Sequence, residues 1–249
     1  MVTIEAVVRV VKDAMKAWKE SNMNMIKESI NTYLSCLEHC PKMPKKALSV
    51  YAPFLAEKIG DSKYQPLIFK LLDGSSEFMT AKFVATQIIK QGIQSKVPKN
   101  NEQLANWLTL TIDEWGSAGL PLKETIDCGV KFAGSSNGPV RVAALKMFGM
   151  LYKHMGDTIK NFLGEIKEST TKVLEEEFKK ITPLKKGEFK SNKTIKGLDA
   201  EEAKALEKAQ AAGDDGLPRE NISKALTSKL LAGFKGEKPD ERQKTVQEI

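Results

Sequence analysis

Apolar positions recur along most of this chain at the three- and four-residue spacing of an amphipathic helix. The clearest stripe follows Gly138-Pro139, where proline suits the first helical turn because the N–H groups there have no helical partner in any case. Its members are Val140, Ala143, Ala144, Met147, Phe148 and Leu151. No sustained alternation of apolar and polar positions predicts a strand, so the chain is predicted to be all-α.

The predicted helices come in pairs separated by short turns. Four pairs span about 4–37, 44–72, 80–115 and 121–155, and a fifth begins after Gly156 and ends near residue 181. The run Asp73-Gly74-Ser75-Ser76 is predicted to break the second helix of the second pair. Equivalent turns recur every 35–40 residues or so, close to the period of HEAT repeats. Because one pair cannot bury its apolar surface alone, we predict an α-solenoid of stacked HEAT-like antiparallel helix pairs.

The helical pattern changes after residue 181. Residues 182–218 are predicted to be a lysine-rich linker, with a short helix near 199–212. An amphipathic pattern resumes at Glu220, so residues 219–249 are predicted to begin a following repeat. The domain is therefore expected to span residues 1–181, within a fragment of a longer protein.

Charge and cysteine content narrow the setting. The formal net charge of +7 favours an acidic partner, although solvated lysine faces would give the same balance. Three cysteines in 249 residues form no disulfide framework and indicate a reducing compartment. No apolar run of about 18 residues predicts a membrane span, and the N-terminus lacks the features of a signal peptide. The cytoplasm is the expected location.

Motifs for catalysis are not found in the sequence. It contains no Walker-type phosphate loop, no dinucleotide fingerprint and no nucleophile elbow. Cys36, His39 and Cys40 lie close together in the sequence, but no second ligand pair follows them, so we predict no metal site. The chain is therefore predicted to be a binding module without a cofactor, not an enzyme.

Three stretches carry a resemblance to a known family. They are Gly138-Pro139-Val140-Arg141-Val142-Ala143-Ala144, Met155-Gly156-Asp157-Thr158-Ile159-Lys160-Asn161-Phe162-Leu163 and Val173-Leu174-Glu175-Glu176-Glu177-Phe178. In this order they resemble a TOG domain of the ch-TOG, Mini spindles and Dis family of microtubule polymerases, and most closely a middle domain of the array. The resemblance covers residues 4 to about 181, and residues 217–224 resemble the approach to a next TOG domain.

The resemblance implies a non-catalytic module that binds the tubulin heterodimer or the microtubule and promotes microtubule growth and spindle organisation. It implies a cytoskeletal location, at microtubules, the spindle pole or centrosome and the kinetochore, where other cytoskeletal or kinetochore partners are also expected. The family domain usually has six repeats, and the missing one here is the first. The tryptophan that contacts tubulin in the family would then precede Met1, and Pro239 takes its place in the following domain.

The family binds tubulin along the turns within repeats, and this assigns candidate site residues. The candidates in these turns are Met23, Lys27, Lys63, Lys96, Lys99, Asn100, Arg141 and Lys167. Arg141 is the strongest, because its planar guanidinium can hold a carboxylate with two hydrogen bonds; the alternative is a local ion pair. A second candidate set could contact the acidic microtubule lattice, or could simply solvate a linker: Lys185, Lys186, Lys190, Lys193 and Lys196.

Two other functions fit a basic helical solenoid. The first is a HEAT-repeat adaptor or scaffold that binds another protein or a peptide on its concave face. The second is nucleic-acid binding through the lysines, but the sequence lacks the interleaved aromatic residues on which single strands stack. For the leading hypothesis, the expected mechanism is concentration of tubulin by several domains joined by linkers.

Overall fold

The structure, a computed structural model, describes residues 3–163, 168–185, 187–191 and 193–196. The chain divides into two compact units, Met1–Leu217 and Pro218–Ile249, and every described residue belongs to the first. The helices in the described ranges are α1 (Ile4–Ala14), α2 (Met23–His39), α3 (Lys45–Lys58), α4 (Gln65–Met79), α5 (Ala81–Gly92), α6 (Pro98–Trp115), α7 (Leu122–Ala133), α8 (Gly138–Met155) and α9 (Glu168–Lys179). The predicted helix near 199–212 and the repeat at 219–249 lie outside these ranges.

Helices α1 to α8 form four antiparallel pairs that stack in two layers. The first helices of the pairs, α1, α3, α5 and α7, contact one another in order. The second helices, α2, α4, α6 and α8, do the same in the other layer. One continuous core of buried apolar side chains runs between the layers. The prediction of an all-α solenoid of stacked helix pairs is confirmed.

Helix α8 shows why the apolar spacing was informative. All six residues of the predicted stripe are buried. The Asn137 side chain caps the helix by accepting a hydrogen bond from the Val140 N–H at 3.3 Å. The cap and the proline set where α8 begins, and its single apolar face sets which side of the helix points into the core. Together they determine where the α7–α8 turn lies.

Helix α4 is longer than predicted. It continues without a break through residues 73–76 to Met79. The Ser76 hydroxyl donates to the Leu72 carbonyl at 2.9 Å, so this buried hydroxyl has a hydrogen-bond partner within its own helix. A Cβ on Gly74 would lie 3.1 Å from Leu37 Cδ1. The small residues were predicted to end the helix, but they are there because α2 and α4 pack closely.

Two connections depart from regular α-helical structure. Helix α1 ends at Ala14, and Lys16, Ala17 and Trp18 follow it with left-handed φ angles of 50°, 54° and 74°. This turn places Trp18 against α3, where its ring stacks on Phe54 with 4.8 Å between ring centroids. The fifth pair begins with a 3-10 helix, Gly156–Phe162, in place of an α-helix. Four complete pairs therefore precede α9.

The segment after α9 differs most from the prediction. We call the described residues 181–185, 187–191 and 193–196 the strap. The Leu184 N–H donates to the Lys153 carbonyl of α8 at 2.7 Å, and the Ser191 hydroxyl to the Glu114 carbonyl of α6 at 2.9 Å. Further on, the Lys196 N–H donates to the Glu77 carbonyl of α4. The strap thus runs back along the C-terminal ends of α8, α6 and α4. The sequence predicted a linker here, with no contact to the helices.

Candidate functional site

The turns within the helix pairs lie along one edge of the solenoid. They occupy residues 15–22, 59–64, 93–97 and 134–137. Direct contacts join consecutive turns. Lys63 Nζ lies 3.0 Å from Met23 Sδ, the Gly60 N–H donates to Asn100 Oδ1 at 3.1 Å, and the Lys131 amine donates to the Ile93 carbonyl. We call this edge, together with the first turns of α2, α4, α6 and α8, the turn ridge.

Asn100 has a structural role within the ridge. Its side chain is only 6% exposed. The Oδ1 atom accepts from the Gly60 N–H, and Nδ2 donates to the Glu57 carbonyl at 2.9 Å and to Ser95 Oγ at 3.3 Å. Because these bonds join the α3–α4 turn to the α5–α6 turn, Asn100 aligns two neighbouring turns. A buried and hydrogen-bonded amide offers nothing to a partner, so we leave Asn100 out of the proposed contact surface.

Arg141 lies at the α7–α8 turn and is exposed. Its Nη1 donates to the Ser135 and Ser136 carbonyls, both at 2.8 Å. The sequence left open an ion pair between Arg141 and an acid, whereas these two hydrogen bonds are to carbonyls of its own turn. A guanidinium has five N–H donors, so the turn holds it in place without using all of them. Arg141 also lines a shallow groove of about 430 Å³ with Leu145 and Val173.

The remaining ridge candidates are solvent-exposed side chains. Lys27, Lys63 and Lys96 are exposed, as is Met23 at 52%. Lys99 is exposed too, but it forms an ion pair with Glu102 at 3.0 Å on the same helix. Lys167, the last predicted ridge residue, lies outside the described residues. The structure therefore brings Met23 and Lys63 together and spreads Lys96 and Arg141 further along the same edge.

Sequence reasoning missed two carboxylates in the ridge. Glu20 is held by Lys16 Nζ at 2.8 Å and by the backbone N–H groups of Ser21 and Asn22. The hydrogen bond from Lys16, followed by those from Asn22 and Ser21, lowers the pKa of Glu20 to about 2. Asp61 accepts from the Lys63 N–H at 2.9 Å and shapes the next turn. An acidic residue in a short polar turn is the signal that would have identified both.

The lysines of the second candidate set are not equivalent. Lys193 Nζ lies 3.6 Å from both Glu77 and Glu114, and Lys196 Nζ lies 2.7 Å from Glu77. Lys185 and Lys190 are exposed. Lys186 lies outside the described residues. Two of the five predicted lattice-binding lysines therefore already have acidic partners within the domain.

A second concave region lies between α2, α4 and the end of the strap. It is a groove of about 920 Å³, and its lining includes Phe69, Asp73, Lys193 and Lys196. Burial raises the pKa of Asp73, which accepts a hydrogen bond from Trp107 Nε1 at 3.2 Å. This carboxylate ties α4 to α6, and nothing in its sequence context distinguished it from a helix-breaking aspartate.

The thiols do not gather with other ligands. Within the part of the chain that the structure describes, no three His, Cys, Asp or Glu side chains could share a metal ion. Burial raises the pKa of Cys36, and it raises that of Cys128 to about 12. In the same part of the chain, no helix has the length and apolar character needed to cross a bilayer.

Comparison with known proteins identifies the type of domain. The family model described as XMAP215/Dis1/CLASP, TOG domain, matches residues 4–178. The chain is 30% identical to Protein MOR1 of Arabidopsis thaliana over 241 residues, which are 96% of this chain and 12% of MOR1. It is 24% identical to Protein mini spindles of Drosophila melanogaster over 176 residues, which are 71% of this chain and 8% of that protein. The chain thus spans only a small part of these relatives.

Solved structures share the fold. TOG3 of Drosophila melanogaster Mini spindles superposes with a TM-score of 0.65 and 23% identity, over 78% of this chain and 82% of that one. A microtubule-polymerase TOG array, from work on tubulin recruitment and assembly, superposes with a TM-score of 0.61 and 17% identity, over 98% of this chain and 50% of that one.

Proposed function

Because the chain belongs to the XMAP215/Dis1/CLASP TOG domain family, we propose that its turn ridge binds the tubulin heterodimer. The observation that carries this proposal is the direct contact between consecutive turns, which places Met23, Lys63 and the α5–α6 turn on one edge. Tubulin is acidic, so exposed cations on one edge would steer its approach and form charge-assisted hydrogen bonds.

The contact surface that we propose consists of the exposed ridge residues. They are Met23, Lys27, Lys63, Lys96, Lys99 and Arg141, with Lys167 as a further candidate. Arg141 is held in place by its own turn, so little side-chain entropy is lost when a carboxylate binds its remaining donors. No step of this function is chemical. In a longer protein with several such domains, each would hold a tubulin dimer and raise its local concentration at a growing microtubule end.

This function implies a cytoskeletal location, on microtubules and at the spindle. The relatives named mini spindles and Centrosomal protein 224 agree with that setting. The adaptor hypothesis needs an open helical face. Here the strap lies across the ends of α4, α6 and α8, and its Lys193 and Lys196 enter the lining of the groove beside α2 and α4. This arrangement favours the ridge over the groove as the partner-binding surface.

The test is a charge reversal on the ridge with a matched reversal on the opposite edge. Lys63→Glu/Lys96→Glu changes two exposed ridge lysines. Lys82→Glu/Lys123→Glu makes the same change at the starts of α5 and α7, where exposed lysines lie at the turns between pairs. We expect the ridge variant to bind purified tubulin at least about tenfold more weakly than the wild type in size-exclusion co-elution and titration.

The opposite-edge variant should bind within about twofold of the wild type, because it has the same net charge but an intact ridge. Equal weakening in both variants would show that net charge, not the ridge, accounts for binding. Circular dichroism melts of both variants establish that each is folded. The single variant Arg141→Ala then measures the contribution of the guanidinium.

A further inference from the structure

The strap meets the solenoid at chemically equivalent points on three consecutive repeats. The last four carbonyls of an α-helix have no partner within the helix. Lys153, Glu114 and Glu77 lie in the last turns of α8, α6 and α4. The strap donates one hydrogen bond to the carbonyl of each, from the Leu184 N–H, the Ser191 hydroxyl and the Lys196 N–H. One segment therefore satisfies an unpaired carbonyl on each of three helices.

Charge adds to these hydrogen bonds. Lys193 Nζ bridges Glu77 and Glu114, and Lys196 Nζ pairs with Glu77. Both ammonium groups also lie at helix C-terminal ends, where the helix dipole favours a cation. Glu77 accepts a hydrogen bond from the strap with its backbone carbonyl, and its two carboxylate oxygens form ion pairs with Lys193 and Lys196. Glu77 is consequently the residue on which strap docking depends most.

An aromatic anchor fixes the middle of the strap. The Phe189 ring packs edge-on against His154 with 4.6 Å between ring centroids. It also lies against Gly116, where a Cβ would come within 2.7 Å of the ring. Gly116 has a φ of +75°, so this position favours glycine twice, for its backbone conformation and for the close approach of Phe189.

We propose that the C-terminal ends of α4, α6 and α8 form a binding edge for a segment that carries cations, and that the strap occupies this edge in cis. Docking then pairs Lys193 and Lys196 with Glu77 and Glu114 and so withholds their charges from acidic partners. The edge lies at the end of the second helices opposite the turn ridge. When the strap is released, its lysines lose their ion pairs and become available to an acidic surface. When it is docked, the ammonium groups of Lys193 and Lys196 are paired with Glu77 and Glu114, and the Lys196 side chain is 59% exposed. This inference concerns the strap alone and holds whether or not the ridge binds tubulin.

The first test measures docking in the full chain. Glu77→Gln removes the acidic partner of Lys196 and one of the two acidic partners of Lys193, and it preserves the shape of the side chain. Asp127→Asn, at an exposed acid on α7, makes the same change in charge elsewhere. During brief trypsin digestion followed by mass spectrometry, cleavage after Lys193 and Lys196 should be about two- to fivefold faster in Glu77→Gln than in the wild type. Asp127→Asn should match the wild type.

Cleavage after Lys70, an exposed lysine on α4, reports whether the helix itself has loosened. It should be the same in all three proteins. Equal cleavage after Lys193 in Glu77→Gln and in the wild type would overturn the proposal. Faster cleavage after Lys70 in parallel would also overturn it, because the effect would then be general unfolding.

The second test measures the withheld lysines with poly-L-glutamate, an acidic polymer that does not depend on tubulin recognition. Glu77→Gln should bind it about two- to fivefold more tightly than Asp127→Asn at the same ionic strength. Adding Lys193→Gln and Lys196→Gln to Glu77→Gln should remove that gain. If the gain persists without these two lysines, they are not what docking withholds.

Discussion

At the scale of single residues, the candidate site separates into side chains that build the ridge and side chains that a partner can reach. Asn100 and Glu20 belong to the first group, because their polar atoms are already used within the turns. Lys63 and Lys96 belong to the second. The sequence placed Asn100 on the correct edge but could not show its burial, because burial depends on Gly60 approaching from another pair. Periodicity within one helix contains no information on that approach.

His154 shows the same limit for charge. Its neighbours in the sequence do not predict burial, yet the structure places it half-buried beneath Phe189. Burial, and to a smaller extent Lys153, lowers its pKa, while Asp113 opposes the shift. The strap therefore covers a histidine that prefers the neutral form, and this should make stability depend on pH.

We predict that the free energy of unfolding falls as the pH drops from 7.5 to 5.5. The unfolded chain binds a proton at His154 near pH 6.5, whereas the folded chain resists it, so stability is complete above that pH and is lost as the pH falls towards the lower folded pKa. Urea titrations at the two pH values measure the difference. His154→Gln should reduce it. The same pH dependence in His154→Gln would contradict the assignment.

At the scale of helices and turns, the contact between Gly60 and Asn100 is the joint between the second and third pairs. A Cβ on Gly60 would lie 2.3 Å from Asn100 Oδ1 and 2.7 Å from the Asn100 backbone nitrogen. The backbone atoms at the start of α6 cannot move aside without shifting the helix. Gly60 is therefore required by the close approach of two turns.

Gly60→Ala should lower the free energy of unfolding by about 1–3 kcal/mol, the usual cost of forcing extra atoms into a packed site. Gly134→Ala is the matched change in another ridge turn, where a Cβ would meet only the Lys131 and Val130 carbonyls at ordinary contact distances of 3.6 and 3.7 Å. It should change stability by less than about 0.5 kcal/mol. Urea denaturation of both variants gives the comparison, and equal losses would show that the two turns are packed alike.

Element-level prediction was accurate where one helix determines its own pattern. The apolar stripe of α8 follows from neighbouring residues alone, and all six of its residues are buried. It was inaccurate where contacts with another element determine the local structure. Gly74 is accommodated in α4 because Leu37 of α2 packs against it, and the strap is ordered because carbonyls and acids on three distant helices receive its donors. A lysine-rich stretch looks the same in sequence whether or not such an acceptor edge exists.

At the scale of the whole molecule, the two ends of the second helices carry different surfaces. Their N-terminal ends form the turn ridge with exposed cations, and their C-terminal ends receive the strap. A partner that binds the ridge therefore contacts helices α4, α6 and α8 at one end, while the strap contacts the same helices at the other end. The net charge of +7 alone would attract an acidic partner to any side of the molecule.

Salt dependence distinguishes attraction by net charge from attraction by the ridge. The Debye length is about 10 Å at 0.1 M salt and shorter at higher concentrations, so added salt weakens steering most where charges are exposed. We predict that the association rate of the wild type with tubulin falls as salt is raised. Lys63→Glu/Lys96→Glu should flatten that dependence, whereas Lys82→Glu/Lys123→Glu should retain most of it. Both variants lower the net charge by four, so stopped-flow rates that changed equally would show that tubulin responds to the overall charge and that the ridge does not orient the encounter.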